Sequence, residues 1–597
     1  MTADTLPFTG LFNLSLLATW ISLAIAAKSS MTYVPQGSNP LLYQPGVEPI
    51  MHLDQATFAD TVFDPVKTNA FMVEFYADWC GHCRAFAPFF REFASLVSNW
   101  GDVARVAAVN CADNFNGQIC RANGVAYFPM LKYFPRSSTN FGDGILIEAS
   151  HSGTNLRDQL TTKILNEYNR LQYLDWPNMR YIEVTGQTRF EDLWQGTLPS
   201  ANFLVVVFEQ YESVGAQMIL DLYPFRANVG VRRALSTSPL ISMLKIASFP
   251  YVAMFRRGDQ QSIFMDQLRP TTVQDILNRA QPGQVVTLAP TIATTKKLDV
   301  INCEANPERC KPMYFVSETD MLKAMRSALL DEVIRADDII TGQHFGDLHN
   351  FVSLLAEYFP TITFAQGNDR SRRVPTKRST SMVLRRSERA KLIFLHLKNL
   401  LEQKQGSISA NEWQHQFESI ERVYAYPFPV NATWQHCRGS SPEFRGYTCG
   451  LWTTFHTLTV HTYMDSIKTR KVHPMRPLQA IQGWVNSFFG CQHCRNHFMK
   501  MTTETFPMNE QRVRHVHDMV MYLWRAHNIV NNRLHGDVTE DPQFLKYQFP
   551  PLFLCPSCHA GGHFSRRQVR NFLLRYYSNI KPAHRTHSYT SAAVRNT

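Results

Sequence analysis

After its first 27 residues the sequence has no apolar run that approaches the roughly 20 residues needed by a membrane-spanning helix, and its tail after Tyr577 is polar. This absence excludes a protein anchored by an internal transmembrane helix. No cysteine is left over either, because the 12 cysteines fall into six pairs that are close in sequence.

The N-terminal segment, residues 1–27, is predicted to be a secretory signal peptide. Residues 11–26 are apolar and end in Ala24-Ile25-Ala26, the small-x-small pattern of a cleavage site. The alternative is a membrane anchor, which the short span and its four polar residues disfavour, although no Lys or Arg precedes the span. We expect a soluble mature protein without a transmembrane anchor, either in the secretory pathway lumen (Golgi or ER) or secreted.

Positive charge is concentrated in residues 369–391. The chain carries +11 at pH 7, and this segment supplies +7 of it, because nine Arg or Lys residues face only Asp369 and Glu388. The segment contains Ser and Thr but no aromatic residue, which is more typical of a solvated linker or loop than of a nucleic-acid site. We expect no nucleic-acid partner.

The cysteine pairs fit an oxidising compartment. A chain of 597 residues does not need disulfides in place of a core, so the pairs are either staples on ordinary domains or redox centres. The sequon Asn431-Ala-Thr433 agrees with a secretory route and predicts glycosylation of Asn431. The six pairs are Cys80/Cys83, Cys111/Cys120, Cys303/Cys310, Cys437/Cys449, Cys491/Cys494 and Cys555/Cys558.

Residues 45–170 show an α/β pattern, with predicted strands at 71–76 and 103–109 and a predicted helix at 84–98. Cys80-Gly-His-Cys83 stands between the first strand and the helix. This spacing suits dithiol exchange, in which one thiolate attacks a substrate disulfide and the other resolves the mixed disulfide. A zinc site would need two more ligands nearby, and the next cysteine pair lacks the knuckle spacing.

The stretch FMVEFYADWCGHCR, residues 71–84, resembles the strand and active-site helix of a thioredoxin fold, in the protein disulfide isomerase branch. The resemblance implies that Cys80 is the exposed nucleophile and Cys83 the buried resolving thiol. It also implies that His82 and the helix N-terminus stabilise the Cys80 thiolate.

Two further positions match the thioredoxin fold. Glu74 corresponds to its buried acid, which accepts the proton of Cys83. Pro129 corresponds to the cis-proline loop beside the active pair, although a proline there could simply start a strand.

Residues 178–290 repeat the pattern without cysteines. Residues 203–208 resemble the central strand and residues 248–251 the proline loop, but Glu209-Gln-Tyr-Glu-Ser213 replaces the cysteine pair. We therefore predict a second, redox-inactive thioredoxin-like domain.

Residues 291–409, which include the basic segment, are predicted to be a helical spacer with helices at 317–336, 349–358 and 389–403. Cys303/Cys310 closes a short loop there and is interpreted as a staple, with a regulatory dithiol as the open alternative.

The last domain, residues 410–580, is predicted to be helical, and residues 581–597 form a polar tail. On a helix, Arg445, Trp452 and His456 would share one face. Such a stripe is usually plain core. Three neighbouring motifs indicate a functional site rather than plain core. They are Gly490-Cys-Gln-His-Cys-Arg-Asn-His-Phe498, Leu523-Trp-Arg-Ala-His-Asn-Ile-Val530 with Asn531, and Lys546-Tyr-Gln-Phe-Pro-Pro551 before Cys555-Pro-Ser-Cys558.

These motifs resemble the Erv family of helical flavin sulfhydryl oxidases, whose small bundle holds FAD beside a reactive Cys-x-x-Cys. The resemblance implies that Cys494 passes electrons to the flavin and that Cys491 receives them from the partner dithiol. It implies structural disulfides at Cys437/Cys449 and Cys555/Cys558. The FAD contacts it implies are Arg445, Trp452, His456, His493, His497, Leu523, Trp524, His527, Asn528, Val530, Asn531, Lys546 and Phe549.

Two positions depart from the vertebrate pattern, since His493 replaces an acidic residue and Phe549 replaces a tryptophan. The rival interpretation is a zinc site made by Cys491/Cys494 with Cys555/Cys558, and with His497 or His559 as alternates. A separation of about 60 residues is long for a zinc ribbon, and an oxidising lumen favours disulfides. No metal is therefore expected.

In its order of domains, the chain resembles the quiescin sulfhydryl oxidase family. The resemblance implies a multidomain enzyme, with two α/β thioredoxin-like domains, a helical spacer and an all-α Erv-like bundle. Its reaction converts two thiols of a reduced or unfolded secretory protein into a disulfide and reduces O2 to H2O2, through Cys80/Cys83, Cys491/Cys494 and FAD. The alternative is isomerase-like exchange, or a structural protein, without oxidase activity.

This relay requires motion, because sulfurs must approach to about 2 Å for exchange while Cys80 must also meet bulky substrates. We predict a hinge between the two thioredoxin-like domains or around residues 170–180, with large domain rotation.

Overall fold

The computed structural model describes residues 41–281, 301–361 and 384–582, apart from residues 186, 211–212, 443 and 470–471. The predicted signal peptide (1–27), most of the basic segment (369–383) and most of the polar tail (583–597) lie outside the described residues. Within the described part of the chain, no helix is both long enough and apolar enough to span a membrane.

The first α/β domain contains a five-stranded sheet of order β1-β3-β2-β4-β5. Its central strand β2 runs parallel to β3 and antiparallel to β4, and all seven of its residues are buried. The predicted strands and helix are confirmed. The elements are β1 Met51–His52, α1 Phe58–Val62, β2 Ala70–Tyr76, α2 Gly81–Leu96, β3 Ala104–Asn110, α3 Gly117–Ala122, β4 Met130–Phe134, β5 Ile145–Ile147 and α4 Gly153–Leu171.

The second α/β domain has a four-stranded sheet of order β7-β6-β8-β9. At the end of its central strand, where the first domain leads into its cysteine pair, Glu209 is fully buried and lies 3.2 Å from Arg233 in an ion pair. The elements are β6 Phe203–Glu209, α5 Val214–Leu222, β7 Val229–Leu235, α6 Leu240–Leu244, β8 Tyr251–Arg256, β9 Ser262–Gln267 and α7 Thr272–Ala280.

The two α/β domains are tied together by polar contacts. Asp221 accepts hydrogen bonds from Trp100 Nε1 at 2.8 Å and from Arg157 Nη2 at 2.6 Å. In the segment that joins the domains, Trp176 is buried and donates to the backbone oxygen of Thr68 at 2.7 Å. A hinge between these domains, or around residues 170–180, would have to break these contacts. The position of the hinge stays a prediction.

The remaining chain forms one helical unit. Its elements are α8 Pro307–Cys310, β10 Val316–Ser317, α9 Glu318–Leu329, α10 Asp331–Ala336, β11 Ile339–Thr341, α11 Gly342–Tyr358, α12 Arg386–Gln403, β12 Ser407–Ser409, α13 Ala410–Val423, α14 Gly446–Thr469, α15 Arg476–Phe488, α16 Gln492–Lys500, α17 Val516–Leu534, β13 His559–Ala560, β14 His563–Phe564, α18 Arg566–Ser578 and β15 Ile580–Lys581. The three helical stretches predicted between residues 317 and 403 are confirmed.

The region predicted as a spacer is not separate from the last domain. The ring of Phe351 on α11 lies 5.2 Å from that of Trp484 on α15, and Asp347 accepts a 2.6 Å hydrogen bond from Ser487 Oγ. Strand β10 also pairs with β15 at the far end of the chain. The apolar faces of the two helical regions cover each other, so they share one core.

Five of the six cysteine pairs are disulfides in the structure, and Cys80 and Cys83 are free thiols. The pairing by sequence proximity is confirmed for the bridged pairs. They are Cys111–Cys120, Cys303–Cys310, Cys437–Cys449, Cys491–Cys494 and Cys555–Cys558.

Candidate active site

Cys80 and Cys83 lie where the buried strand β2 ends and α2 begins. Cys80 is the residue that precedes α2, and Cys83 lies in its first turn. Both side chains are fully buried. The expectation of an exposed Cys80 is therefore wrong for this arrangement, because the helical unit covers the end of α2.

The two thiols have opposite electrostatic environments. Burial alone would raise the pKa of Cys80, but hydrogen bonds from Cys83, with the charge of Arg84, give it a net lowering. Burial, together with its interaction with Cys80, raises the pKa of Cys83 well above its ordinary value. Cys80 is thus the better thiolate and Cys83 the better proton holder, which agrees with the predicted roles of nucleophile and resolving thiol.

His82, which is predicted to help stabilise the Cys80 thiolate, carries no positive charge in this docked arrangement. Burial and the neighbouring His493 lower the pKa of His82 to about 4, so the imidazole is neutral at physiological pH. The rings of His82 and His493 lie 4.0 Å apart. In this arrangement the Cys80 thiolate is stabilised by Cys83, Arg84 and the start of α2 instead.

Glu74 is the buried acid expected from the thioredoxin fold. It is fully buried on β2, and burial raises its pKa to about 8, although a hydrogen bond donated by Tyr43 Oη lowers it in part. The other carboxylate oxygen has no partner in the described part of the chain. A carboxyl group with this pKa can take up and release a proton near neutral pH, and its charge also affects the pKa of Cys83.

Pro129 follows a cis peptide bond, as the resemblance implied. The preceding residue, Phe128, donates a backbone hydrogen bond of 3.0 Å to the oxygen of Gly490, next to the second cysteine pair. The ring of Trp79 stacks on Phe489 at 5.6 Å and meets Tyr447 edge-on at 4.9 Å. We call this contact the docking interface; it joins residues 79–84 and 125–129 to residues 447 and 488–493.

Cys491 and Cys494 form a disulfide at the start of α16. Cys491 is almost fully buried, whereas Cys494 faces a large cavity inside the helical unit. Because Cys491–Cys494 and Cys555–Cys558 are two separate disulfides, their sulfurs do not form the thiolate cluster that the zinc alternative requires. The pair thus has one sulfur on the cavity and the other behind it.

The cavity brings together eight of the thirteen predicted FAD contacts. The Trp452 and His527 rings are stacked 4.0 Å apart, at an interplanar angle of 4°. Burial lowers the pKa of Arg445 and, with the charge of Arg445, lowers that of Lys546 to about 8. The eight residues are Arg445, Trp452, His497, His527, Val530, Asn531, Lys546 and Phe549.

Arg445 reaches the cavity differently from the prediction. It is not on the helix with Trp452 and His456, because α14 begins at Gly446 and Arg445 has a φ of +66°. Arg445 therefore has a left-handed backbone conformation just before the helix. Its guanidinium carbon lies 4.0 Å from the centre of the Phe544 ring.

The other five predicted contacts do not line the cavity. His456 lies behind His527, with 3.0 Å between its Nε2 and His527 Nδ1. His493 faces His82 across the docking interface. Asn528 and Trp524 bond to the backbone of Phe549 and so position that residue. Leu523 is buried in the core. These residues support the lining rather than form it.

Sequence motifs missed part of the lining. Tyr314 comes from the region taken as a spacer, and Tyr576 comes from the last helix, α18. Trp79, His82 and Arg84 from the first α/β domain also border the cavity. The pair Tyr576-Tyr577 near the end of α18 is a signal of this kind that the sequence offers.

The cavity fits FAD. Arg445 and Lys546 offer two cations at one site for a pyrophosphate, and the Trp452/His527 stack offers an aromatic surface for a flat ring. The buried Tyr576 hydroxyl, which borders the cavity, has no hydrogen-bond partner in the described part of the chain. A bound ligand with several acceptors would supply one.

The fold and the site define a class of protein in which a thioredoxin-like dithiol domain is docked on a helical flavin domain. Residues 49–164 match the Thioredoxin family and residues 449–550 match the Erv1 / Alr family. Proteins with an Erv1/Alr domain of this type are FAD-dependent flavoproteins, and FAD is the cofactor of this domain.

Similar proteins cover nearly the whole chain. Sulfhydryl oxidase 1 of Cavia porcellus is 30% identical over 86% of this chain and 77% of its own length. Sulfhydryl oxidase 1 of Rattus norvegicus is 30% identical over 86% of this chain, which spans 63% of that relative's length. A solved sulfhydryl oxidase fragment of human QSOX1 is 28% identical, over 45% of this chain and 99% of the fragment, with a TM-score of 0.38. The chain belongs to the quiescin sulfhydryl oxidase family.

Proposed function

We propose that this protein is an FAD-linked thiol oxidase that introduces disulfides into reduced proteins, with O2 as acceptor and H2O2 as product. One observation carries the proposal: the loop of the free dithiol Cys80/Cys83 is docked on the loop of the Cys491–Cys494 disulfide, whose second sulfur faces the cavity. Donor dithiol, acceptor disulfide and flavin site therefore follow one another in space.

The first step takes place on the oxidised form of the N-terminal pair. A substrate thiolate attacks Cys80 of the Cys80–Cys83 disulfide, which forms a mixed disulfide and releases the Cys83 thiolate. The second substrate thiolate then displaces Cys80. The substrate leaves with a disulfide, and two electrons remain on the two cysteines.

The second step is the exchange across the docking interface. The Cys80 thiolate attacks Cys491, so a Cys80–Cys491 bond forms and the Cys491–Cys494 bond breaks, leaving a Cys494 thiolate. Cys83 then attacks Cys80, restores Cys80–Cys83 and releases Cys491. Glu74, whose pKa is about 8, accepts the proton that Cys83 must lose before it can attack.

Cys494 is the sulfur from which electrons leave the protein's thiols. Arg445 and Lys546 would hold the pyrophosphate of FAD, and Trp452 with His527 would border its flat rings. Bound FAD supplies a two-electron acceptor that O2 can reoxidise.

The docked arrangement excludes protein substrates, because Cys80 is fully buried. Turnover therefore needs separation of the first domain from the helical unit. The contacts of Asp221 join the two α/β domains, so we expect them to move together. The boundary that opens is the docking interface, not the junction around residues 170–180.

The expected substrates are reduced or unfolded proteins of the secretory pathway. Five disulfides fit an oxidising compartment. Asn431, in the predicted glycosylation sequon, is exposed, as an acceptor site requires. Golgi or ER residence and secretion both remain compatible with this proposal.

Oxygen consumption with a reduced protein as substrate tests the proposed function. We expect Cys80→Ser to abolish oxidation of the protein, and Cys494→Ser to abolish all oxygen consumption. The matched control is Cys303→Ser/Cys310→Ser, which removes a disulfide that takes no part in the proposed exchange and should leave the reaction in place. It is compared at equal flavin content, because this disulfide packs against Tyr314 and Tyr547, which line the cavity. Oxygen consumption that survives Cys494→Ser would refute the path. Disulfide exchange without oxygen consumption by the parent would favour the isomerase alternative.

A further inference from the structure

We propose that Arg335 and Glu332 on α10 are positioning residues that hold the two redox loops in register for the exchange between Cys80 and Cys491. This inference rests on the proposed function and adds a role for a helix in the region predicted as a spacer. Arg335 Nη2 and Glu332 Oε2 lie 2.7 Å apart, and both side chains are 3% exposed.

The Arg335 guanidinium bonds to both partners of the docking interface. Its Nη1 donates to the oxygen of Val125, in the proline loop of the first domain, at 3.0 Å. Its Nη2 donates to the oxygen of Phe488, at the end of α15, at 2.6 Å. The guanidinium carbon also lies 5.1 Å from the centre of the Phe128 ring. A planar fork of donors can fix the distance between two backbone segments, which a single ammonium cannot do.

Glu332 holds the peptide next to the second cysteine pair. Its Oε2 accepts from the backbone nitrogen of Gly490 at 3.1 Å, and from Arg335 Nε at 3.2 Å. The oxygen of the same residue, Gly490, accepts from Phe128. The residue before Cys491 is therefore held from one side by the helical unit and from the other by the first domain.

Most of this network belongs to the helical unit itself. If the first domain separates, Arg335 keeps Glu332 and the oxygen of Phe488, and only the bonds to Val125 and the face of Phe128 are lost. Arg335 Nη1, which donates to the first domain, is thus held in position by the helical unit before the domains dock. A pre-aimed donor lowers the entropy cost of each docking event, and small errors in sulfur placement strongly reduce exchange rates.

A second buried ion pair provides a matched comparison. Arg326 Nε lies 3.1 Å from Glu421 Oε1, and this pair connects α9 to α13 within the helical unit. The two pairs have the same chemistry, and Arg326 is 15% exposed where Arg335 is 3% exposed. The bonds of Arg335 to Val125 and Phe488 reach across the docking interface. Lys in place of Arg keeps the charge at either site and removes the fork. Only at position 335 should it affect exchange between the domains.

The test uses the full-length, flavin-loaded protein with Cys83→Ser. In this background the Cys80 thiolate can attack Cys491, and the mixed disulfide cannot be resolved by Cys83. Alkylation of the released Cys494, followed by mass spectrometry of the linked peptides, measures the rate of Cys80–Cys491 formation. We expect R335K to slow it at least tenfold and R326K to leave it within twofold.

A second readout separates positioning from general damage. In a Cys80→Ser/Cys83→Ser background, electrons from dithiothreitol can reach the flavin only by direct reduction of the Cys491–Cys494 disulfide. We expect R335K, R326K and the parent to have equal rates of flavin reduction by dithiothreitol, equal flavin absorbance and equal midpoints of thermal unfolding. A purely structural role would lower these quantities together with the exchange rate and would overturn the inference.

A double variant covers the case in which R335K does not fold. Glu332→Gln with Arg335→Met removes the pair without leaving a buried charge, and it should also slow formation of the mixed disulfide at least tenfold. Exchange at the parental rate in either folded variant would overturn the role of the pair. If the parent background forms no Cys80–Cys491 bond at all, the proposed electron path fails, and this outcome differs from a failure of the positioning role.

Discussion

A single methyl group at position 490 should disturb the docked state selectively. A Cβ built on Gly490 would lie 2.7 Å from Phe128 Cε2 and 2.9 Å from its Cδ2, and 3.1 Å from Arg335 Nη2. Gly490 is not among the glycines with positive φ, so alanine is compatible with the backbone itself. Phe128 belongs to the other domain. The severe overlap of Gly490→Ala therefore arises only when the two redox loops meet.

The magnitude follows from the cost of overpacking a close-fitting contact. Inserting an extra methyl group where no space exists costs about 1–3 kcal/mol. If the whole cost falls on docking, the equilibrium constant for docking decreases by about 5- to 150-fold. The contact with Arg335 involves the end of a long side chain, which can move by a few tenths of an ångström. We therefore expect Gly490→Ala to change the free energy of unfolding of the helical unit only slightly and to weaken docking of the first domain strongly.

The assay compares two routes by which electrons reach the flavin in the Gly490→Ala protein, one that requires docking and one that does not. Oxidation of a reduced protein, which requires docking, should slow, and by the full factor where the docked state is the minor one during turnover. Reduction of Cys491–Cys494 by dithiothreitol in a Cys80→Ser/Cys83→Ser background should not change. Gly346→Ala is the control, because it lies within α11 and its Cβ would meet nothing within 4 Å. A parental rate of protein oxidation by Gly490→Ala would show that electrons do not pass through this docked arrangement.

Three further predictions concern single groups of the site. Burial and His493 lower the pKa of His82 to about 4 in the docked state, where Asp537, Arg533 and His151 also face the imidazole. After undocking, the pKa of His82 should return toward about 6.5, so protonation of His82 opposes docking. The yield of the Cys80–Cys491 disulfide in the Cys83→Ser protein should therefore fall as the pH decreases from about 6.5 to 4, and it should fall less in a variant that also carries His82→Asn. A yield independent of pH in that window would contradict this. Glu74→Gln should slow resolution of the mixed disulfide about 100-fold without lowering the thermal midpoint, because the native carboxyl is already costly to ionise; rapid resolution in this variant would exclude Glu74 as proton acceptor. Lys546→Gln should weaken FAD binding about 10- to 150-fold through loss of a charge-assisted hydrogen bond, measured by flavin release on dialysis, and an unchanged affinity would place the pyrophosphate elsewhere.

Local patterns were enough to predict most of the secondary structure and both redox motifs. The central strand of the first domain is an apolar run because it is covered on both faces, and such runs are visible in any sequence. The cysteine pairs are close in sequence, so proximity alone identified the five bridges that the structure contains. These features depend on neighbours along the chain.

The docking interface could not be predicted in this way. Glu332 and Arg335 are three residues apart on a helix, a spacing that usually indicates an exposed ion pair on a solvated face. Their burial depends on Val125, Phe488 and Gly490, which are remote in sequence. Similarly, the motif predicts Asn528 as an FAD contact, whereas its side chain accepts from the backbone nitrogen of Phe549 and does not itself line the cavity. A motif gives the type of residue, but only packing decides which face it presents.

Docking also changes the chemistry of the first dithiol, and the direction of that change favours the relay. In the docked state His82 is neutral, so the Cys80 thiolate depends on hydrogen bonds from Cys83 and on the charge of Arg84. Separation returns His82 to water, where an ordinary pKa gives it partial positive charge beside the same thiolate. A better stabilised thiolate makes the reduced pair more stable and its disulfide a stronger oxidant. In the proposed reaction, the open form is therefore suited to take electrons from substrates, and the docked form to pass them to Cys491–Cys494.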